Sequence, residues 1–120
     1  MKKFTTLLLI LVSLITAGCT NSTVVEDITV TELKEMLNED YQFLDVRTIE
    51  EYNDYHIPEF SNLDFYQFSV NESMLDYLDK DQTIVLICRS GNRSSQAADL
   101  LEGLGFTKVY NVTGGMNTWN

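Results

Sequence analysis

The sequence predicts an α/β fold: an open, mainly parallel sheet with helices on both faces. Three observations carry this expectation. Short apolar runs alternate along the chain with stretches of helical spacing, the pattern of successive strand–helix units. The run Thr83-Ile84-Val85-Leu86-Ile87 is apolar without alternation, as a strand buried on both faces in mid-sheet must be. A loop of small and charged residues follows it directly, and open parallel sheets place their chemistry at such strand ends.

The elements follow in order. Folding is expected to start near Asp27, with Ile28 to Val30 as a first short strand and Thr31 as the N-cap of a helix whose Leu33, Met36 and Leu37 repeat at helical spacing. Phe43-Leu44-Asp45-Val46 reads as a short buried strand. Thr48 caps a second helical piece, Ile49 to Asn53, and the X-Pro step at Ile57-Pro58 ends any helix there. A further strand is expected near Asn62 to Phe65, then a short helix over Ser73 to Leu78. After the Thr83 to Ile87 strand, a helix through Ser95 to Leu101 sets Ala97, Ala98, Leu101 and Leu104 on one side, with Gly103 and Gly105 as its stop. Lys108 to Val112 is the last strand. Gly114-Gly115 turns the chain into Met116 to Trp119, which leaves only a stub of a final helix.

The N-terminus carries a different signal. Met1-Lys2-Lys3, the apolar stretch Leu7 to Ile15 and Thr16-Ala17-Gly18-Cys19 read as a basic region, an apolar region and small residues before a cysteine. Small residues at that place are similar to the bacterial lipobox, although Thr16 stands where a leucine is usual. Residues 1–18 are therefore expected to be a lipoprotein signal peptide, Cys19 the lipidation site, 19–26 a short polar tether and 27–120 a single domain. The domain would then lie outside the cytoplasm, anchored to a membrane of the cell envelope.

Without residues 1–18, six basic residues stand against eighteen acidic ones, a formal charge of −12. This excludes nucleic acid as a natural partner. Two of the six, Arg89 and Arg93, lie in the segment Cys88-Arg89-Ser90-Gly91-Asn92-Arg93-Ser94, a local positive spot suited to a small anion. Lipidation would consume Cys19 and leave Cys88 without a partner in a compartment where disulfides form, so its thiol is read as reactive. Neighbouring arginines and a following helix N-terminus favour its thiolate.

Three ordered motifs then give a resemblance. Leu44-Asp45-Val46-Arg47 with Glu50-Glu51-Tyr52 and His56-Ile57-Pro58, the Cys88 to Ser94 loop, and Val109-Tyr110-Asn111-Val112 with Gly114-Gly115-Met116 and Trp119 resemble the rhodanese (sulfurtransferase) family over most of the chain. Tyr55, Glu59 and Phe60 depart from it, replacing the family's glycine before the His-Ile-Pro step and its Gly-Ala after it. The resemblance implies a three-layer rhodanese-like fold and Cys88 as the catalytic nucleophile. It further implies that Cys88 takes the outer sulfur of thiosulfate or a similar donor, holds it as a persulfide and yields it to cyanide or a thiol. Arg89, Ser90, Gly91, Asn92 and Arg93 would bind the donor through loop N–H groups and the two guanidinium groups, with no metal or organic cofactor.

Two rival readings are weighed against this one. Protein tyrosine phosphatases use a thiolate and an arginine with five residues between them, whereas four separate Cys88 from Arg93, a tighter loop. A membrane-tethered sulfur-binding or sensing module with little turnover would carry the same loop. His56 is read as a hydrogen-bonded structural residue, Asp45 and Arg47 as a structural ion pair, and Trp119 as core. Tyr52, Tyr55, Phe60, Phe65, Tyr66 and Phe68 are read as a cover for the sheet.

Overall fold

The computed structural model describes residues 23–120; Cys19, the signal segment and the start of the tether lie outside them. Five strands, β1 Val25–Ile28, β2 Gln42–Asp45, β3 Ser61–Asn62, β4 Ile84–Ile87 and β5 Val109–Val112, form one sheet in the order β1-β5-β4-β2-β3. Every pairing is parallel. β4 is therefore central, as its unbroken apolarity predicts, and all four of its residues are fully buried. Its side chains alternate between two cores. Ile84 and Leu86, and Cys88 just beyond the strand, pack with Ala97, Ala98 and Leu101 of α4 (Asn92–Gly103). Val85 and Ile87 pack on the other face with Leu33 of α1 (Val30–Met36) and with Phe43, Phe60 and Val112. Helices on both faces of a parallel sheet make the expected three layers.

Boundaries shift where side chains satisfy backbone groups that the apolar pattern does not report. The first strand starts at Val25, inside the stretch read as tether, and the first helix is capped by Thr29 rather than Thr31. The cause is a reciprocal capping box: Thr29 Oγ1 accepts the Glu32 N–H at 3.1 Å, and Glu32 returns a carboxylate oxygen to the Thr29 N–H. Thr48 and Glu51 repeat this at the start of α2 (Ile49–Asp54), where Thr48 is the expected cap. β3 is two residues long because the Asp64 side chain takes the Tyr66 N–H at 2.9 Å and starts the short helix α3 (Phe65–Phe68). The expected helix at Ser73 to Leu78 is a 3-10 turn over Glu72–Leu75 that still buries Leu75 and Leu78. α4 likewise begins three residues early, at Asn92 rather than Ser95.

Two of the residues that depart from the family pattern fit without disturbing the sheet. Phe60 is 2% exposed and packs its ring 5.3 Å from that of Phe43. Tyr55 ends α2 in extended conformation, and its carbonyl accepts from Arg47 at 2.7 Å.

Candidate active site

Cys88 stands one residue past the end of β4, and its side chain turns toward α4. Its Sγ is buried and accepts two hydrogen bonds, from the Gly91 N–H at 3.1 Å and from the Ser94 hydroxyl at 3.3 Å. Burial pushes the Cys88 thiol up, but the Ser94 hydroxyl and the N–H groups of Ser94, Gly91 and Ser90 pull it down further. The net result lies below the ordinary thiol value. The N-terminus of the twelve-residue helix α4 faces the same sulfur and adds its dipole in the same sense.

The loop holds this shape because of backbone that only glycine allows. Gly91 caps α4 with φ +98°, which lets its N–H turn back toward the sulfur. On the other side of the loop, the N–H groups of Met116 and Asn117 donate to the carbonyls of Cys88 at 2.8 Å and Arg89 at 3.0 Å. These groups belong to the single-turn helix α5 (Gly115–Thr118). Gly115 has φ +53°, and a Cβ there would collide with the Cys88 carbonyl and stand 2.8 Å from the Arg89 carbonyl. The loop carbonyls are thus drawn outward to α5, which leaves loop N–H groups to face the thiol.

The two loop arginines have different surroundings. Arg93, in the first turn of α4, makes a two-point ion pair with Glu51 of α2 at 2.6 and 2.9 Å and lies over the Tyr66 ring. The Arg93 guanidinium holds the Glu51 carboxyl down at about 2. Arg89 is exposed and makes no ion pair among the described residues. It lines a cleft of about 290 Å³ with Arg47, Glu51, Asp54, Met116 and Asn117. Ser90 is exposed beside it, while the Asn92 side chain bonds Gln96 on the outer surface of α4 rather than the sulfur.

Residues read as structural occupy structural places. Asp45 and Arg47 form a buried pair at 2.7 Å, and Arg47 reaches on to the Tyr55 carbonyl. His56 stacks on Tyr52 with ring centroids 3.7 Å apart and bonds the Tyr52 carbonyl through Nδ1. Trp119 is half-buried against the α1-side core. Of the aromatic cluster, Phe60 and Phe68 are buried, but Tyr55 and Tyr66 are each 57% exposed. Three contributors to the site escape the sequence reading: the Ser94 hydroxyl, Glu51 as the partner of Arg93, and Gly115. The Thr48–Glu51 spacing of a capping box marks Glu51 as a fixed carboxylate, but its partner lies 42 residues away in the chain.

A parallel α/β sheet whose central strand ends in a thiol cradled by loop N–H groups has the chemistry to hold a thiolate ready for nucleophilic attack. Ser94 stands where the phosphatase arginine would, and the neighbouring Arg93 guanidinium is committed to Glu51, which argues against phosphate chemistry. The chain belongs to the rhodanese-like domain family, whose model matches residues 29–120. It is 35% identical over 101 residues to the putative sulfur carrier protein YrkF of Bacillus subtilis, covering 82% of this chain and 53% of that one. It thus spans about half the length of that relative. It is 38% identical over 79 residues to the thiosulfate sulfurtransferase GlpE of Pseudomonas savastanoi pv. phaseolicola, covering 63% of this chain and 69% of that one. The crystal structure of a rhodanese-like domain protein from Staphylococcus aureus superposes with a TM-score of 0.69 at 33% identity, over 79% of this chain and 91% of that one. Sulfur transfer is the general chemistry that this membership supports.

Proposed function

We propose that the chain is a thiosulfate sulfurtransferase that works through a Cys88 persulfide. It would be tethered by a lipid on Cys19 to the outer side of a bacterial membrane. The observation that carries the catalytic part is the Cys88 sulfur itself, buried at a strand end yet supplied with two donors, Gly91 N–H and Ser94 Oγ. Those donors stabilise a thiolate at Sγ, and in a persulfide, where the charge moves to the outer sulfur, N–H groups of the same loop would meet it.

The steps balance without an added oxidant. The Cys88 thiolate attacks the outer sulfur of thiosulfate, a Cys88 S–S bond forms, the donor S–S bond breaks and sulfite leaves with its electron pair. Cyanide or a thiolate then attacks the outer persulfide sulfur, and the Cys88 thiolate leaves unchanged. Loop N–H groups hold anionic sulfur in both states, so the protein rearranges little between half-reactions. The name of the GlpE relative supports thiosulfate as donor. The basic, apolar and small-residue pattern before Cys19 supports the membrane tether.

Steady-state thiocyanate formation from thiosulfate and cyanide tests the enzyme reading. Many turnovers per Cys88 are expected. A single stoichiometric loading with no turnover would favour the second reading, a tethered sulfur-carrying module. Two observations point that way: Cys88 has no exposed surface, and the YrkF relative is named a sulfur carrier. For the tether, Cys19→Ala should leave an unprocessed precursor, and wild-type protein that retains residues 1–18 without acyl chains would overturn it.

A further inference from the structure

The chain enters the domain at the end of the sheet opposite Cys88. β1, β5 and β4 run parallel, with Val25 beside Val109 and Val109 beside Ile84, so all three strands start at one level. Cys88 follows the last residue of β4 at the other end. Thr23, two residues before β1, is held at the starting end, where its carbonyl accepts from Lys108 Nζ at 3.2 Å. Two residues from Thr23 to Val25 and four from Ile84 to Cys88 separate the two levels, ~20 Å at the rise of a β-strand. The segment from Cys19 to Thr23 is short by comparison. Its four peptide steps span ~14 Å when fully extended. An acyl anchor on Cys19 therefore cannot pass up the flank of the domain and bring the Cys88 end onto a bilayer. The formal charge of −12 beyond residue 18 also holds the rest of the surface off an anionic leaflet.

We infer that the Cys19 tether holds the starting end of the sheet toward the bilayer and turns the Cys88 end to the water, so that the sulfur acceptor is a water-borne thiol and not one embedded in lipid. The inference rests on the tether and sulfur-transfer readings above and narrows the acceptor. A thiol on a lipid headgroup lies ~20 Å below the level of Cys88, beyond the reach of a headgroup a few atoms long. A thiol in water meets no such gap. Thiosulfate, itself an anion of the aqueous phase, arrives at the same end, so both half-reactions use the outward face. The tether then serves to retain the domain in the envelope and not to present Cys88 to the membrane.

The chain carries its own reporter of orientation. Trp119 is the only tryptophan, and its N–H bonds Met116, whose own N–H bonds the Cys88 carbonyl, so it marks the Cys88 end. The lipidated protein is purified from bacterial membranes and placed in vesicles whose lipid headgroups carry a nitroxide quencher. Trp119 emission should be unchanged. Asp81→Trp combined with Trp119→Phe puts the reporter in the exposed turn before β4, at the starting end, and its emission should fall by more than half. Trp119 quenched as strongly as the Asp81→Trp reporter would overturn the inference alone. The acceptor is tested in vesicles of a phospholipid with a thiol headgroup, after loading with thiosulfate. The wild type should keep its sulfur against the lipid thiol and lose it to 2-mercaptoethanol in the water, whereas a long Gly/Ser insertion after Asn21 should let the lipid thiol discharge it. Discharge of the wild type by the lipid thiol as fast as that of the insertion variant would also overturn the inference alone. Protein that carries no acyl chain and stays off the vesicles would overturn the tether reading and this inference with it. No added sulfur after thiosulfate would overturn the sulfur-transfer reading, and the quenching would still decide the orientation.

Discussion

Ser94 Oγ lies 3.3 Å from Cys88 Sγ and donates to it, which joins the first turn of α4 to the end of β4 through the sulfur atom. The hydroxyl is buried, so no water replaces it when it is removed. Its effect on the thiol is therefore direct, and it opposes the burial that by itself would keep Cys88 protonated.

Ser94→Ala should raise the pH at which Cys88 becomes alkylatable. Sulfur loading at neutral pH should slow about ten-fold, ~1.4 kcal/mol and within the range of a hydrogen bond to a charged group. The deficit should close at high pH, where the thiol ionises without help. Iodoacetamide rate against pH measures this, and an unchanged profile would remove Ser94 from the site.

The unequal surroundings of the two loop arginines predict unequal kinetics. Arg89 is free to meet an anionic donor, whereas Arg93 is held by Glu51. Arg89→Gln should lower kcat/KM for thiosulfate by ~1 to 3 kcal/mol, the scale of a charge-assisted hydrogen bond, mainly through KM. Arg93→Gln should show most of its cost as a lower Tm. Equal kinetic losses in both variants would contradict this division.

The Glu51–Arg93 pair also predicts a pH signature. The Glu51 carboxyl ionises at about 2 in the folded protein against 4.5 in an unperturbed chain. Its stabilisation is thus fully present above about 4.5 and lost as the pH falls toward about 2. With the Glu51 side chain 29% exposed, solvent screening limits the pair to ~1 to 2 kcal/mol. Urea unfolding of Glu51→Gln should show that deficit at pH 7, shrinking as the pH is lowered below 4.5. A gap that stays constant with pH would assign the loss to packing and capping alone.

Gly115→Ala places a methyl group against the Cys88 and Arg89 carbonyls at a backbone angle of φ +53°. Strain and overpacking together should cost ~2 to 4 kcal/mol. Because the clash pushes the loop itself, sulfur loading should fall as well as Tm. Stability within 0.5 kcal/mol of the wild type, a margin typical of neutral surface changes, would show that α5 does not set the loop.

The sheet and the thiol were legible in the sequence because each rests on local pattern. Unbroken apolarity from Thr83 to Ile87 marks a central strand, and the residue after such a strand is where a parallel sheet presents a nucleophile. Thr29 was missed because Thr29 and Thr31 are both plausible caps until Glu32 is recognised as the returning half of a capping box. The start of α4 at Asn92 was hidden because Gly91 supplies the left-handed turn, so the Cys88 to Ser94 loop and the helix overlap. What could not be read was long-range: that Glu51 captures Arg93, and that α5 presents its N–H groups to the carbonyls of Cys88 and Arg89. Both depend on the sheet order, which brings β2, β4 and β5 side by side.

If Cys88 carries the transferred sulfur, peptide mapping of the full chain after thiosulfate will find it there. One added sulfur should be found on the peptide containing Cys88, removable by cyanide with thiocyanate released in equal amount. Cys88→Ser, close in volume but unable to form a persulfide, should gain none while keeping the wild-type circular dichroism spectrum. Sulfur on any other residue, or sulfur transfer by the serine variant, would show that Cys88 is not the carrier.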